Sequence, residues 1–477
     1  MLPIKRVSAW IPALAGLCLL LLAARAGIVA FLLIALPGSL LLAGGVRALL
    51  APDLRAPQHI AIGSVFGLLL AVPVGLAGGA VLAFVTVASC AIAFVAGGWL
   101  EIRLQPVLED VPAPAAAPAY SALVALDDAV LSFMNLLTPI PLSDALRVAV
   151  RESETAHALF SERGWIDAPA TFHQAPPEIR SVESSPLRVR GIDCEHLRFE
   201  SGYDPEPGMP GRERWLAYAE NRTSHALVLR HKEPGPWLVC VHGFGMGKPA
   251  QDVQAFRARQ LHERAGLNVA LFVLPVHGPR APGRVSGEKF FGLSALDFIH
   301  AEAQAVWDLR RLIAWVRKQE ASRIGVYGIS LGGYTSAVLA GLEEGLACVI
   351  AGIPPADMVA TTEHLASSFE RRISAAAGLD RERDRDLYRV VSPLALSPRV
   401  EHNRRFMFAA TADQFVPIEQ IRALWLHWER PRISWSTGGH LGALLQREPR
   451  RLVDEAIATT FGPGAASLGG AVGRPLP

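Results

Sequence analysis

The sequence predicts an α/β domain, a mostly parallel sheet covered by helices on both faces with a small helical cap, preceded by transmembrane helices. Three observations predict it. Hydrophobic residues make up 51% of the 477 positions, yet only six of the 90 charged side chains fall in the first hundred residues. From Trp237 onward, short apolar runs alternate with stretches of helical periodicity, as in parallel sheets buried on both faces. A Gly-x-Ser-x-Gly run stands at one strand-to-helix junction.

The first quarter holds four apolar runs, about Ser8–Ala24, Gly27–Gly45, Ile60–Ala80 and Val81–Leu100. Each approaches the ~20 residues a helix needs to cross ~30 Å of hydrocarbon. The transmembrane region is expected over residues 1–104, as about four helices. Lys5 and Arg6 before the first run, with Ala24-Arg25-Ala26 after it, also have the layout of a cleaved secretory leader, and both readings stay open. Four crossings place Lys5, Arg6, Arg47, Arg55 and Arg103 on the inner side and only Arg25 outside, which predicts a multi-pass membrane protein whose remainder is cytoplasmic. Five widely spaced cysteines without a CxxC fit a reducing compartment and argue against a zinc site.

Residues 105–186 read as a linker and accessory helices. Pro106–Pro118 is rich in Pro and Ala, and 119–165 carries apolar residues at mixed helical spacing. Strands follow at Leu187–Val189, His196–Phe199, Ala226–Leu229, Trp237–Val241, Val269–Leu274, Arg323–Tyr327, Cys348–Ala351, Phe406–Ala410 and Ile433–Trp435. Long helices are expected at about Leu296–Lys318 and Arg451–Thr460. The stretch 357–404 breaks the rhythm and reads as the cap. Within it, Asp380–Asp386 alternates acid and base, the pattern of a solvated face. Residues 463–477 read as a disordered tail.

The chemistry concentrates in the second half. Ser330 stands in Gly328-Ile329-Ser330-Leu331-Gly332, where flanking glycines permit a sharp turn that lifts the hydroxyl above the strand ends. A serine needs a base, and His440, in Thr437-Gly438-Gly439-His440 after the last strand, is the candidate. The base needs a carboxylate, and Asp413, in Thr411-Ala412-Asp413-Gln414-Phe415, is the candidate, with Asp357 in reserve. Oxyanion donors are expected from the backbone N–H of Leu331 and, in the His242-Gly243-Phe244-Gly245 loop, of Phe244. His242 is expected to brace that loop. Arg280, Arg284 and Lys289 lie after a strand end, either as a solvated loop or facing an anionic head group.

Over residues 187–462 these motifs together resemble the α/β-hydrolase superfamily. The resemblance implies an eight-stranded sheet with antiparallel first strands, and a serine hydrolase site above the strand ends. The multi-pass front quarter departs from most members. The function expected is a membrane-anchored serine hydrolase, esterase-, lipase- or thioesterase-like, cleaving a carboxylic ester or thioester, with a membrane lipid plausible on location alone. A peptidase of the same fold and a non-catalytic binding scaffold are the alternatives. No cofactor is implied. A net charge of only +2 argues against nucleic acid as a partner, which leaves the bilayer and the ester substrate. Substrate identity and oligomeric state are not legible.

Overall fold

The computed structural model describes residues 3–50, 55–137, 143–292, 294–366 and 368–462. The tail expected over 463–477 lies outside them. The chain divides into two compact units. One comprises Met1–Pro139, Ala410–Ile418 and Trp435–Gln446, and the other Ile140–Ala409, Glu419–Ser434 and Arg447–Pro477.

The first unit is helical. Its helices are α1 (Pro3–Ala26), α2 (Ile28–Leu50), α3 (Ala56–Leu69), α4 (Ala71–Gly78), α5 (Ala80–Leu104) and α6 (Pro118–Leu137). α1, α2 and α5 are long and apolar enough to cross a membrane, as is the pair α3 and α4 if taken as one bent span. That pair bends by 58°, because Pro73 has no N–H to give the carbonyl of the preceding turn. Leu19, Ile34, Leu41, Ile60, Cys90 and Leu100 form the core of this bundle, and large side chains such as Leu32, Val72 and Phe84 face outward. α6 also passes the length and composition test, but it departs from a lipid-facing helix at its midpoint, where Asp127 and Asp128 are both buried. Gly98 on α5 lies so close to α6 that a Cβ there would collide with the Ser121 carbonyl. Such small-residue contacts let helix backbones approach closely in apolar bundles.

The second unit is built on one sheet. Its strands are β1 (Glu183–Val189), β2 (Ile192–Glu200), β3 (Thr223–Leu229), β4 (Trp237–Val241), β5 (Asn268–Phe272), β6 (Ile324–Ile329), β7 (Cys348–Gly352), β8 (Arg405–Ala410) and β9 (Arg432–Ser436). The order across the sheet is β1-β2-β3-β5-β4-β6-β7-β8-β9. β1, β2, β3 and β5 pair antiparallel in turn, and β5, β4, β6, β7 and β8 pair parallel. Among the described residues the sheet thus has nine strands, as many as the apolar runs predict and one more than the eight the resemblance implies. β1 is joined to β2 by Arg190-Gly191, both at positive φ, the geometry of a two-residue hairpin turn. β4, β5, β6, β7 and β8 are buried at every position, as strands covered on both faces must be. The helix Ala295–Arg317 opens with a capping box, Ser294 and Asp297 each accepting an N–H from the other's end of the turn.

Two charged stretches differ from the sequence reading. Arg280 is fully buried rather than solvated or facing a ligand. It pairs with Asp308 at 2.7 Å and donates to the carbonyls of Val273 and Asn221. Asp380–Asp386 is not a purely solvated face. Asp384 accepts from Ser153 Oγ at 2.6 Å, and Asp386 and Arg383 pair with His157 and Glu154, all on the helix Ser143–Glu162. The cap region is helical as expected, with helices Met358–Leu365, Ser368–Ala376 and Arg381–Tyr388.

Breaking a buried ion pair on one side strands the other charge, at a cost of roughly 3–5 kcal/mol. Asp308→Ala is therefore expected to lower the stability of the full chain by about 3 kcal/mol or more, read as a fall in the thermal unfolding midpoint. An unchanged midpoint would show that the carbonyl contacts alone suffice for Arg280.

Candidate active site

Ser330 lies between β6 and the helix Leu331–Ala340, at φ 56° and ψ −119°. A non-glycine residue in that region is strained and persists only where its surroundings enforce it. The surroundings here are backbone. The Ser330 N–H donates to the Gly352 carbonyl at 2.8 Å. A Cβ on Gly328 would collide with the Gly332 carbonyl, and one on Gly332 with the carbonyls of Val241 and His242. Both glycines of the motif are therefore required by close approach. Leu331 is the first residue of its helix, so its N–H has no partner within the helix by geometry.

The loop after β4 lies against this turn. A Cβ built on Gly243 would come within 3.3 Å of the Ser330 Cβ. His242 is buried; its Nδ1 donates to the Gly243 carbonyl at 2.8 Å and its Nε2 accepts from the Leu274 N–H at 3.1 Å. That fixes one neutral tautomer, and burial lowers its pKa. Asp252, accepting from the Gly247 N–H at 3.2 Å, holds the far end of the loop. Phe244 places its ring edge-on to Phe291, with centroids 5.3 Å apart. His277, behind the loop, is driven by burial to a pKa of about 3 and so stays neutral.

Asp413 and His440 belong to the first unit. Asp413 follows β8 and is buried. Its Oδ1 accepts from the N–H groups of Phe415 (2.9 Å) and Val416 (2.8 Å). Its Oδ2 accepts from His440 Nδ1 at 2.6 Å. Both oxygens are thus committed, and the imidazole proton is held on Nδ1, which makes Nε2 the basic position. Burial of the His440 ring opposes protonation, but Asp413, by charge and hydrogen bond, and Asp127, by charge, outweigh it and raise the pKa above the ordinary value. Phe415 covers the ring, with centroids 5.0 Å apart. Asp357 is not near this role. Its side chain caps the helix Met358–Leu365, accepting the Ala360 N–H at 2.9 Å.

The residue that sequence reasoning missed is Asp127 on α6. It accepts from the His440 N–H at 2.5 Å and from the Leu441 N–H at 3.1 Å. Its signal was present as an acid pair inside the apolar run Ala122–Val130. Among the described residues, no group of three or more His, Cys, Asp or Glu side chains is placed to hold a metal ion.

Known proteins match the chain in sequence and, weakly, in structure. The uncharacterized protein Rv2627c of Mycobacterium tuberculosis H37Rv is 40% identical over 367 residues, covering 76% of this chain and 88% of the relative. MT2702 of strain CDC 1551 of the same organism matches to the same extent. The prolyl oligopeptidase family matches residues 306–425, a span that includes Ser330 and Asp413. The chain belongs to the family of Rv2627c, within the α/β-hydrolase superfamily. Solved α/β-hydrolases resemble it at low identity. Acetyl xylan esterase 1 from Thermoanaerobacterium sp. JW/SL YS485 is 17% identical with a TM-score of 0.43, covering 63% of this chain and 93% of that one. The Pyrococcus furiosus esterase Pf2001 is 14% identical with a TM-score of 0.35, covering 60% of this chain and all of that one.

If the two glycines are required by carbonyl approach, Gly332→Ala must move β4 or the turn. It is expected to destabilise the hydrolase by about 1–3 kcal/mol, the range for overpacked sites, while the same change at Gly235, where a Cβ would meet only the Asn268 side chain at an ordinary 3.5 Å, is expected to cost less. Thermal unfolding of the two variants side by side decides it.

Proposed function

We propose that the chain is a membrane-anchored serine hydrolase that cleaves a carboxylic ester or thioester through an acyl-enzyme on Ser330. In this reading His440 Nε2 takes the proton of the Ser330 hydroxyl as the serine attacks the acyl carbon. Asp413 keeps the imidazole in its productive tautomer and stabilises the imidazolium. The N–H groups of Leu331 and Phe244 receive the developing oxyanion. His440 then passes its proton to the leaving oxygen or sulfur, and a water deprotonated by the same imidazole releases the acid.

The observation that carries the reading is the buried Asp413–His440 pair with both carboxylate oxygens occupied. The strained Ser330 turn supports it from the other unit. The prolyl oligopeptidase match supports a serine hydrolase of the α/β fold and favours one second reading, a peptidase that cleaves amides by the same steps. A substrate within the bilayer, such as an acyl lipid, fits the apolar helices, because anchoring raises the local concentration of such an ester.

The buried carboxylates of α6 bear on the side of the membrane. A helix whose midpoint accepts N–H groups from a protein loop is not embedded in lipid, where charged side chains are costly. We count α1, α2, α3 with α4, and α5 as four crossings and α6 as none. With that count, the excess of Arg and Lys at the same ends of the helices supports a cytoplasmic hydrolase in this reading.

A fluorophosphonate probe is expected to label wild-type protein at Ser330 and not Ser330→Ala. Asp413→Asn is expected to cut kcat by up to about 10⁴-fold, as loss of the orienting carboxylate does in such triads. A panel of acyl esters, thioesters, phospholipid vesicles and peptide amides separates the two readings. Turnover of amides alone would overturn the ester reading.

Because the neutral imidazole is the active form, kcat/KM is expected to fall as pH drops through the raised pKa of His440 and to plateau above it. An acid limb centred below the ordinary ~6.5 of histidine would contradict the assignment of His440 as base.

A further inference from the structure

α6 is apolar over nearly its whole length, yet its midpoint carries a carboxylate buried against the loops of the candidate acid and base. Asp127 Oδ2 accepts from the N–H of His440 at 2.5 Å and from that of Gln414 at 3.4 Å, and Oδ1 accepts from the N–H of Leu441 at 3.1 Å. One side chain thus gathers three backbone donors from two loops, the one that holds Asp413 and the one that holds His440. The Gly438-Gly439 pair before the histidine follows from the same contact. Gly438 sits at φ 114°, where a side chain is strained. A Cβ on Gly439 would collide with the Asp127 carboxylate itself. His440 and Leu441 open a single helical turn, so their N–H groups have no partners within it, and Asp127 supplies them from α6.

We propose that Asp127 is a positioning residue for the catalytic base: from α6 it fixes the backbone on which the His440 imidazole and the Asp413 carboxylate meet. The proposal rests on the reading of His440 as general base. It gives the apolar N-terminal region a part in proton transfer beyond anchorage. α6 is held in place by its close packing on α5 at Gly98, so a helix apolar enough to cross a membrane indirectly sets the position of the base. The titratable groups facing the imidazole in this unit are Asp413, from the loop after β8, and Asp127, whose charge favours the imidazolium and whose own carboxyl is pushed up to about 7, by burial first and by the neighbouring Asp413 second. Asp128, next along α6, and Glu101 on α5 are also buried.

The test uses the full chain in detergent or nanodiscs. Wild type, Asp127→Asn and Gly439→Ala are compared by the rate of fluorophosphonate labelling of Ser330 across pH and by hydrogen exchange of the peptide containing residues 440 and 441. Asn keeps the shape of Asp but loses the charge and one acceptor oxygen. Asp127→Asn is expected to slow labelling about 10- to 100-fold, part of the ~10²–10⁴ that a positioned base contributes. Its acid limb is expected to move to lower pH, since the charge that favours imidazolium is gone, and the amides of 440 and 441 are expected to exchange faster. Gly439→Ala, which displaces the carboxylate, is expected to slow labelling and speed exchange in the same peptide. A rate loss matched by loss of folded protein, with the limb unmoved, would reduce Asp127 to a packing residue and overturn the proposal, as would wild-type rate, limb and exchange in Asp127→Asn. Failure of wild type itself to label at Ser330 would instead overturn the hydrolase reading, and this inference with it.

Discussion

The arrangement of the acid and base loops depends on how two buried carboxylates are satisfied. A carboxylate removed from water is tolerated only when its oxygens are taken up by donors or by opposite charge. Asp413 takes two backbone N–H groups on one oxygen and the imidazole on the other. Asp127 takes backbone N–H groups on both oxygens. Every one of these donors comes from residues 414–416 or 440–441. The two loops therefore have little freedom to drift independently, because any shift that relieves one carboxylate strips a partner from the other. The imidazole meets Asp413, by charge and hydrogen bond, and Asp127, by charge, in a low-dielectric site, and together they raise the pKa of a ring that burial alone would keep neutral.

Ser330 is constrained by different means. Sterics hold its turn, through glycines at 328 and 332 that allow carbonyl oxygens to come where side chains would be, together with the backbone hydrogen bond from Ser330 to Gly352. The neighbouring loop is stiffened by His242, whose two ring nitrogens are both spent on backbone groups. A histidine with both nitrogens engaged this way has no lone pair left for proton transfer, and that separates a bracing histidine from a basic one more firmly than proximity to the serine does.

The contrast explains what was legible in the amino-acid order. Strands β4 to β8 and the Ser330 turn are local matters: apolar runs of five or six residues, then glycine spacing that only a tight turn needs. They were readable, and so was the pairing of Gly438-Gly439 with a histidine, although its reason was not. The reason lies some three hundred positions upstream, at Asp127, and nothing in a linear reading joins the two. Arg280 and Asp357 misled for a related cause. Each follows a strand end, where functional loops gather, but one is matched to Asp308 on a distant helix and the other to the N–H groups of the helix it begins. Long-range partners decide whether a charged residue in such a loop is structural or chemical. The first strand, β1, is likewise visible as the run Leu187–Val189, but its pairing through Arg190-Gly191 depends on turn geometry more than on composition.

Asp127 also changes what the apolar N-terminal region is for. A tether that merely concentrates an enzyme at a surface is exchangeable for any other tether of similar reach. A helix that supplies a buried acceptor to the His440 loop is not, because removing it would expose or orphan the N–H groups of His440 and Leu441. Residues 410–418 and 435–446 fall in the same compact unit as the apolar helices, so the Asp413 and His440 loops and those helices share one folded body. Tilt or displacement of α6 then acts on His440 through Asp127 directly, without passing through the sheet. The carboxylate that makes α6 look least like a membrane span is thus the one that ties α6 to the His440 loop.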